Sequence, residues 1–273
     1  MLNGNVKKYY ADKVINQNGV ATFFDSFVLN QGTHDKTARE ESLSLRENNM
    51  VQRVKETLDI NMGERYVNLK DRIADTLKSD MDMYDRICSQ GTLNCIQWKG
   101  KPLLKSAQDF VLYPMLIWEL RPNSIIELGS TATSLEWLTN LAKVSELNSK
   151  IVGVDLHLPN YIPAESEFIQ GDIEKIETLL TVDYLRNLPR PLLVIEDAHT
   201  NVSQLLEWIC NHMRDGDYLV VEDSLSKQGT ISHWIQHTTM SSTIYVDTYY
   251  TDFFGVNTST AVNSVLKKIN KAG

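Results

Sequence analysis

The chain has 273 residues, 42% hydrophobic and 23% charged, a composition that excludes disordered and collagen-like classes for most of its length. Its 27 Lys and Arg against 35 Asp and Glu give a formal net charge of −8. We therefore expect no nucleic-acid partner, because binding to a phosphate backbone needs a basic surface.

Cysteine content and hydropathy indicate the compartment. The chain has three cysteines, Cys88, Cys95 and Cys210. An odd number without paired C-x-x-C spacing excludes a disulfide framework and a zinc ribbon. The first residues show no secretory signal. The longest apolar run, Phe110 to Trp118, contains Pro114 and is far shorter than the roughly 20 residues of a membrane span. We expect a cytoplasmic protein without a membrane partner.

Residues 1–94 are predicted to be a helical N-terminal extension. Segments such as Glu40 to Ile60 and Tyr66 to Ile87 place apolar residues three or four apart, which predicts amphipathic helices. The extension is too charged to build a core alone, so we expect a lid or an oligomer contact in a homo-oligomer.

Residues 95–273 alternate short apolar runs with helical segments, which predicts an α/β domain with a doubly wound, Rossmann-like parallel sheet. The predicted strands are Ser124–Leu128, Ile151–Asp155, Glu167–Gln170, Leu192–Glu196 and Tyr218–Glu222. Two later runs, Thr243 to Asp247 and Phe253 to Val256, predict a hairpin at the edge of the sheet.

Almost every predicted strand ends in, or is followed by, an acid. These acids are Glu127, Asp155, Asp172, Glu196, Asp197, Glu222 and Asp223. In open parallel sheets, ligands bind beyond the carboxyl ends of the strands. Helix capping is the alternative for any single acid, but acids after five successive strands favour a binding site.

The motifs in the sequence, together with those that do not occur, indicate the chemistry of the ligand. Glycine patterns for dinucleotide or P-loop phosphate binding do not occur in the sequence. Glu127-Leu128-Gly129 after the first strand and Asp155 after the second suit a ligand with a ribose but no phosphate. S-adenosylmethionine has this chemistry, so we expect it as the cofactor.

Several motifs together resemble the cephalosporin hydroxylase family over roughly residues 95–269. They are Trp98 to Lys105, Ile125 to Gly129, Ser134 to Trp137, Gly153 to Asp155, Gln170 to Asp172, Ile195 to His199, Gly216 to Asp223 and Thr251 to Gly255. The resemblance implies a methyltransferase fold and O-methylation of sugars or secondary metabolites. It implies cofactor contacts from Glu127, Gly129, Ser130, Ser134, Asp155, Asp172 and Asp197. The loop Ser130 to Ser134 departs from the family, since it is one residue shorter and lacks a second glycine.

The resemblance also implies a metal site of Asp197, Glu222 and Asp223. Three carboxylates without a cysteine favour Mg²⁺, or Mn²⁺ or Ca²⁺, over zinc. The alternative is that Asp223 caps a helix and Glu222 pairs with Lys227.

The expected activity is metal-dependent transfer of a methyl group from S-adenosylmethionine to a hydroxyl of a small natural product or sugar. Besides Asp197, the candidate catalytic residues are His199, two residues after Asp197, and His157, two after Asp155. Two alternatives stay open, a hydroxylase or oxygenase component and a non-catalytic binding subunit. The sequence shows no 2-His-1-carboxylate arrangement, which counts against iron oxygenation.

Overall fold

The computed structural model describes residues 64–74 and 77–270. The helix expected over Glu40 to Ile60 lies outside the described residues. The division of the chain between residues 94 and 95 stays a prediction.

Eight strands of the described residues form one sheet. These strands are β1 (Tyr66–Asn68), β4 (Ser124–Leu128), β5 (Lys150–Asp155), β6 (Ser166–Gln170), β7 (Leu192–Glu196), β8 (Tyr218–Val221), β9 (Ile244–Asp247) and β10 (Val265–Lys268). Their order across the sheet is β1-β9-β10-β8-β7-β4-β5-β6. A separate hairpin pairs β2 (Gln97–Trp98) with β3 (Lys101–Pro102). Strands β4 to β8 pair in parallel, whereas β9, β10 and β1 pair antiparallel, so the predicted fold class is confirmed.

Helices cover both faces of the sheet. They are α1 (Leu69–Ala74), α2 (Met83–Cys88), α3 (Ala107–Leu120), α4 (Ala132–Val144), α5 (Ile176–Leu179), α6 (Val182–Asn187), α7 (Val202–His212), α8 (Gln228–His237) and α9 (Thr248–Thr251). Successive residues of a strand point to opposite faces, so Ile126 joins the core under α7 and α8 while Ile125 joins the core under α3 and α4. Burial on both faces explains why these strands are continuous apolar runs.

The order of the strands creates a crevice beside β4. From β4 the chain proceeds to β5 and β6 on one side, and then returns to β7 and β8 on the other. In such sheets this switch point, beyond the carboxyl ends of the strands, is where ligands bind. The acids at the ends of β4, β7 and β8 therefore lie together at the carboxyl ends of these neighbouring strands.

Two predictions of secondary structure are wrong. Tyr66 to Ile87 is not continuously helical, because Tyr66–Asn68 is an edge strand paired with β9 and α1 and α2 are separate short helices. The segment Phe253 to Val256 forms only an isolated bridge, Phe253 to Gly255, while Val265–Lys268 inserts between β8 and β9. Both strands depend on partners distant in sequence, which local patterns do not reveal. Among the described residues, no helix is long and apolar enough to cross a membrane.

Candidate active site

The first loop of the site follows β4. Gly129 adopts a φ of +85°, and a Cβ there would lie 2.6 Å from the carbonyl oxygen of Asp197. The Asp197 N–H donates to the Leu128 carbonyl at 2.8 Å, so the ends of β4 and β7 are in direct contact. Glycine is required because any side chain would collide with the neighbouring backbone.

Lys105 is buried among three carboxylates. Its Nζ lies 2.7 Å from Asp197 Oδ2, 2.8 Å and 2.7 Å from Glu222 Oε1 and Oε2, and 3.4 Å from Glu127 Oε1. The ammonium comes from the segment between β3 and α3, just before Ser106 caps α3. Burial would lower the pKa of Lys105, yet Glu222, Asp197 and Glu127 together raise this pKa well above its ordinary value. Lys105 is thus held as a cation.

Glu222 lies beneath this ammonium. Its carboxylate also accepts a hydrogen bond from the Tyr113 hydroxyl. Burial and repulsion from Asp197 raise the pKa of Glu222, and the Lys105 charge opposes both effects. Burial likewise raises the pKa of Tyr113 well above its usual range, so its hydroxyl stays a donor.

Asp197, His199 and Asp223 form a second group at the outer edge of the site. One possible ligand atom from each lies within 4.8 Å of the others. His199 Nε2 is 3.5 Å from Asp197 Oδ1 and 3.6 Å from Asp223 Oδ2. The structure thus groups two of the three predicted metal ligands, Asp197 and Asp223, whose carboxylates suit Mg²⁺. Glu222 does not join this group, because its carboxylate faces Lys105 and Tyr113, and His199 lies beside the two aspartates instead.

An ion pair beneath the surface supports this outer group. Lys227 Nζ lies 2.6 Å from Glu196 Oε2 and donates to the Glu222 carbonyl at 2.7 Å. Glu196 Oε1 accepts the His199 N–H at 2.9 Å. His199 and Asp223 have φ of +58° and +46°, a conformation that non-glycine residues adopt only when the surroundings hold them.

A polar cleft of about 680 Å³ opens beside the outer group. Its lining consists of His199, Asn201, Val202, Ser203, Asp223, Ser226, Lys227 and Thr230. One of these eight side chains is apolar, so the cleft suits a molecule rich in hydroxyl groups.

The opposite side of the crevice carries the expected cofactor residues. Glu127 Oε2 accepts hydrogen bonds from Ser130 Oγ and Ser134 Oγ, each at 2.6 Å. Thr131 and Ser134 form a capping box that begins α4. A Cβ on Gly153 would lie 2.7 Å from Ser130 Oγ, so a glycine at this position of β5 leaves room for the Ser130 side chain.

Glu127 also has a free acceptor position that fits the cofactor. Its Oε1 is buried and has no hydrogen-bond partner among the described residues, although Lys105 lies 3.4 Å away as an ion pair. An unsatisfied buried carboxylate oxygen beside the loop that faces the cofactor is an acceptor for a cationic group.

Other predicted site residues lie near the ends of β5 and β6. Asp155 Oδ1 accepts the His157 N–H at 2.7 Å, and His157 is exposed. Strand β4 separates β5 from β7, so His157 stands apart from the Asp197 group. Asp172 caps the short 3-10 turn Ile173–Lys175 through Glu174 N.

The alternative roles considered for Glu222 and Asp223, the two acids that follow β8, are wrong. Lys227 pairs with Glu196 rather than with the Glu222 side chain, and the residue at the start of α8 is Lys227 rather than Asp223. Sequence reasoning missed the role of Lys105 and gave Lys227 the wrong partner. A cluster of buried acids requires internal cations, and lysines beside strand ends are the signal that could have found them.

Comparisons with known proteins agree with the geometry. A curated rhamnosyl O-methyltransferase of Mycobacterium leprae (strain TN) is 31% identical over 143 residues, 48% of this chain. The match spans 61% of that relative's length. The apo-structure of CmcI superposes with a TM-score of 0.57 at 25% identity, covering 73% of this chain and 84% of CmcI. A CmcI structure titled with Mg and SAM gives 0.56 at 26% identity with the same coverage.

The fold is that of S-adenosylmethionine-dependent methyltransferases. The chain belongs to the rhamnosyl O-methyltransferase/CmcI family, whose sequence model matches residues 90–237. The resemblance stated from the motifs is thereby confirmed.

Proposed function

We propose that this protein is a metal-dependent O-methyltransferase that moves a methyl group from S-adenosylmethionine to a hydroxyl of a small molecule. The observation that carries the proposal is the group of Asp197, His199 and Asp223, which lies between a polar cleft and the crevice beside β4. Membership of an O-methyltransferase family and the Mg and SAM of the CmcI structure support the same cofactors, S-adenosylmethionine and Mg²⁺.

S-adenosylmethionine lies across the carboxyl ends of β4 and β5 in this proposal. Glu127 would act on the cofactor through the loop after β4, because Ser130 and Ser134 on that loop both donate hydrogen bonds to its Oε2. Gly129 gives the cofactor access to the backbone. The remaining cofactor residues are Asp155, Asp172 and Asp197, with Asp155 on the ribose.

Asp197 and Asp223 would hold the divalent cation, with Glu222 behind them. A bound divalent cation orients the acceptor hydroxyl and lowers its pKa. His199 accepts the hydroxyl proton, because its imidazole lies at the rim of the cleft and within 3.6 Å of both aspartates. Glu196 and Lys227 keep His199 and Asp223 in position.

A sugar hydroxyl is the acceptor that the cleft favours. Its hydroxyl, amide and carboxylate lining matches a polyhydroxylated ring, and the Mycobacterium leprae relative is a rhamnosyl O-methyltransferase. The hydroxylase alternative is disfavoured because this group contains one histidine and two carboxylates rather than two histidines and one carboxylate.

Location and assembly are further parts of the proposal. We propose a cytoplasmic location, which suits a chain whose three cysteines are all free, and a homo-oligomeric assembly. Residues 1–94 would supply a lid or the oligomer contact. Sedimentation equilibrium of the full chain would test assembly, with a concentration-independent monomer mass as the contrary result.

The decisive activity experiment uses methyl-labelled S-adenosylmethionine with a panel of rhamnosides and other glycosides, each paired with its sugar-free aglycone. We expect transfer to glycosides, its loss in excess EDTA and its recovery with Mg²⁺. The matched controls are Asp197→Asn, which should be inactive even with Mg²⁺, and Asp183→Asn on the exposed surface. Transfer that persists in EDTA would contradict the metal-dependent function.

A further inference from the structure

One ammonium group, that of Lys105, contacts the carboxyl groups of three acids at the centre of the site. Lys105, Glu127 and Glu222 have at most 3% of their surface exposed, and Asp197 is mostly covered. Counting Asp223 as well, four carboxyl groups lie around this one ammonium. Water screens such a group poorly, so the position of this single cation decides which carboxylates are free.

The ammonium occupies the oxygens that the sequence assigns to a metal ion. It contacts both carboxylate oxygens of Glu222 and Oδ2 of Asp197. Asp197 Oδ1 instead faces His199. A divalent cation that used Glu222 as a ligand would lie next to this ammonium, and the two like charges would repel each other strongly.

Glu127 offers the ammonium a second acceptor. Its Oε1 is 3.4 Å from Lys105 Nζ, buried, and without a hydrogen-bond partner among the described residues. A small movement of the flexible lysine side chain toward Glu127 would satisfy this oxygen and release Glu222.

We propose that Lys105 is the resident cation of the metal-free site, holding Asp197 and Glu222 until a divalent cation displaces its ammonium toward Glu127. Lys105 is a positioning residue in this assignment, and the assignment rests on the metal site of the proposed function. Because Glu127 also belongs to the cofactor loop, Lys105 connects the metal side of the crevice to the cofactor side.

The first test compares Mg²⁺ affinity by calorimetry in the wild-type chain, Lys105→Met and Lys101→Met. The matched control removes an exposed lysine of the neighbouring segment, which pairs with Glu136 at the surface. Removing a competing buried charge should tighten Mg²⁺ binding at least about tenfold in Lys105→Met, and the control should stay near wild type. Unchanged or weaker binding in Lys105→Met would overturn the assignment.

Melting temperatures separate this role from packing alone. In EDTA, Lys105→Met should melt well below the wild type, because three acids then face each other uncompensated. Saturating Mg²⁺ should recover most of that loss. A loss that persists at saturating Mg²⁺, or a variant that stays unfolded there, would show that Lys105 acts only in packing.

A double-mutant cycle tests the role of Glu127. Glu127→Gln should weaken Mg²⁺ binding, and the effect should shrink severalfold in the Lys105→Met background, because the displaced ammonium is then absent. Equal effects in both backgrounds would remove Glu127 as the acceptor.

Failure of the wild type to bind S-adenosylmethionine would instead count against the proposed function. Normal methyl transfer without tighter Mg²⁺ binding in Lys105→Met would count against this inference alone.

Discussion

The Lys227 ammonium lies 2.6 Å from Glu196 Oε2, directly beneath the turns that carry His199 and Asp223. Both partners are almost fully buried, with side-chain exposures of 8% and 0%. The same lysine donates to the Glu222 carbonyl, and Glu196 accepts the His199 N–H. One ion pair therefore helps to hold the two turns in which His199 and Asp223 adopt positive φ angles.

Replacing Lys227 by Met should destabilise the fold strongly. Glu196 would remain buried without its partner, and breaking a buried pair in this way costs about 3–5 kcal/mol. Urea unfolding measures the loss. Lys143→Met is the matched control, since its pair with Glu165 is more than half exposed and should contribute less than about 1 kcal/mol. Equal losses in the two variants would contradict the role of the Glu196 pair.

The His199→Asn variant distinguishes a general base from a metal ligand. Asparagine tolerates the left-handed backbone of this position, so the fold should survive. Loss of a general base should reduce kcat by about 10²–10⁴ while calorimetric Mg²⁺ affinity stays near wild type. Mg²⁺ affinity that falls in parallel with kcat would make His199 a ligand instead.

Asp155→Ala tests the cofactor position. If Asp155 binds the ribose, its loss should weaken S-adenosylmethionine binding by about 1–3 kcal/mol, the usual value for a hydrogen bond to a charged group. Calorimetry gives the value directly. Asp183→Ala, an exposed acid on α6, is the control and should bind normally. Wild-type affinity in Asp155→Ala would place the ribose elsewhere.

A pH titration tests the contact that holds the loop after β5. Glu136 on α4 accepts from Tyr161 in that loop and pairs with Lys101 and Lys99, and these bonds lower the pKa of Glu136 from 4.5 to about 2. A carboxyl with a lowered pKa stabilises the fold above its ordinary pKa, and this contribution is lost as the pH falls through about 2.

Carboxyl NMR should therefore show Glu136 titrating near 2 in the wild type and closer to its ordinary 4.5 in Tyr161→Phe. The Tyr161 bond is the largest cause of the shift, so an unchanged midpoint in Tyr161→Phe would contradict this contact.

The sequence predicted the parallel strands and the edge of the sheet where the acids meet, because buried parallel strands are continuous apolar runs that end at the same edge. The family resemblance implied one metal site of Asp197, Glu222 and Asp223, and the structure brings Asp197 and Asp223 together with His199 while Glu222 faces Lys105. The sequence did not reveal the roles of Lys105 and Lys227. Lys105 and Glu222, for example, are 117 positions apart in the chain and come into contact only in the folded structure. The strand Val265–Lys268 was missed because its pairing with β8 and β9, not its own pattern, makes it a strand.

The most direct test of metal-dependent methyl transfer is a crystal structure with Mn²⁺ and S-adenosylhomocysteine, recorded at a wavelength where manganese scatters anomalously. We expect one strong anomalous peak within coordination distance of Asp197 and Asp223, with the nucleoside ribose beside Asp155. A manganese peak away from both aspartates, or a fully bound nucleoside with no peak at this site, would contradict the metal-dependent mechanism.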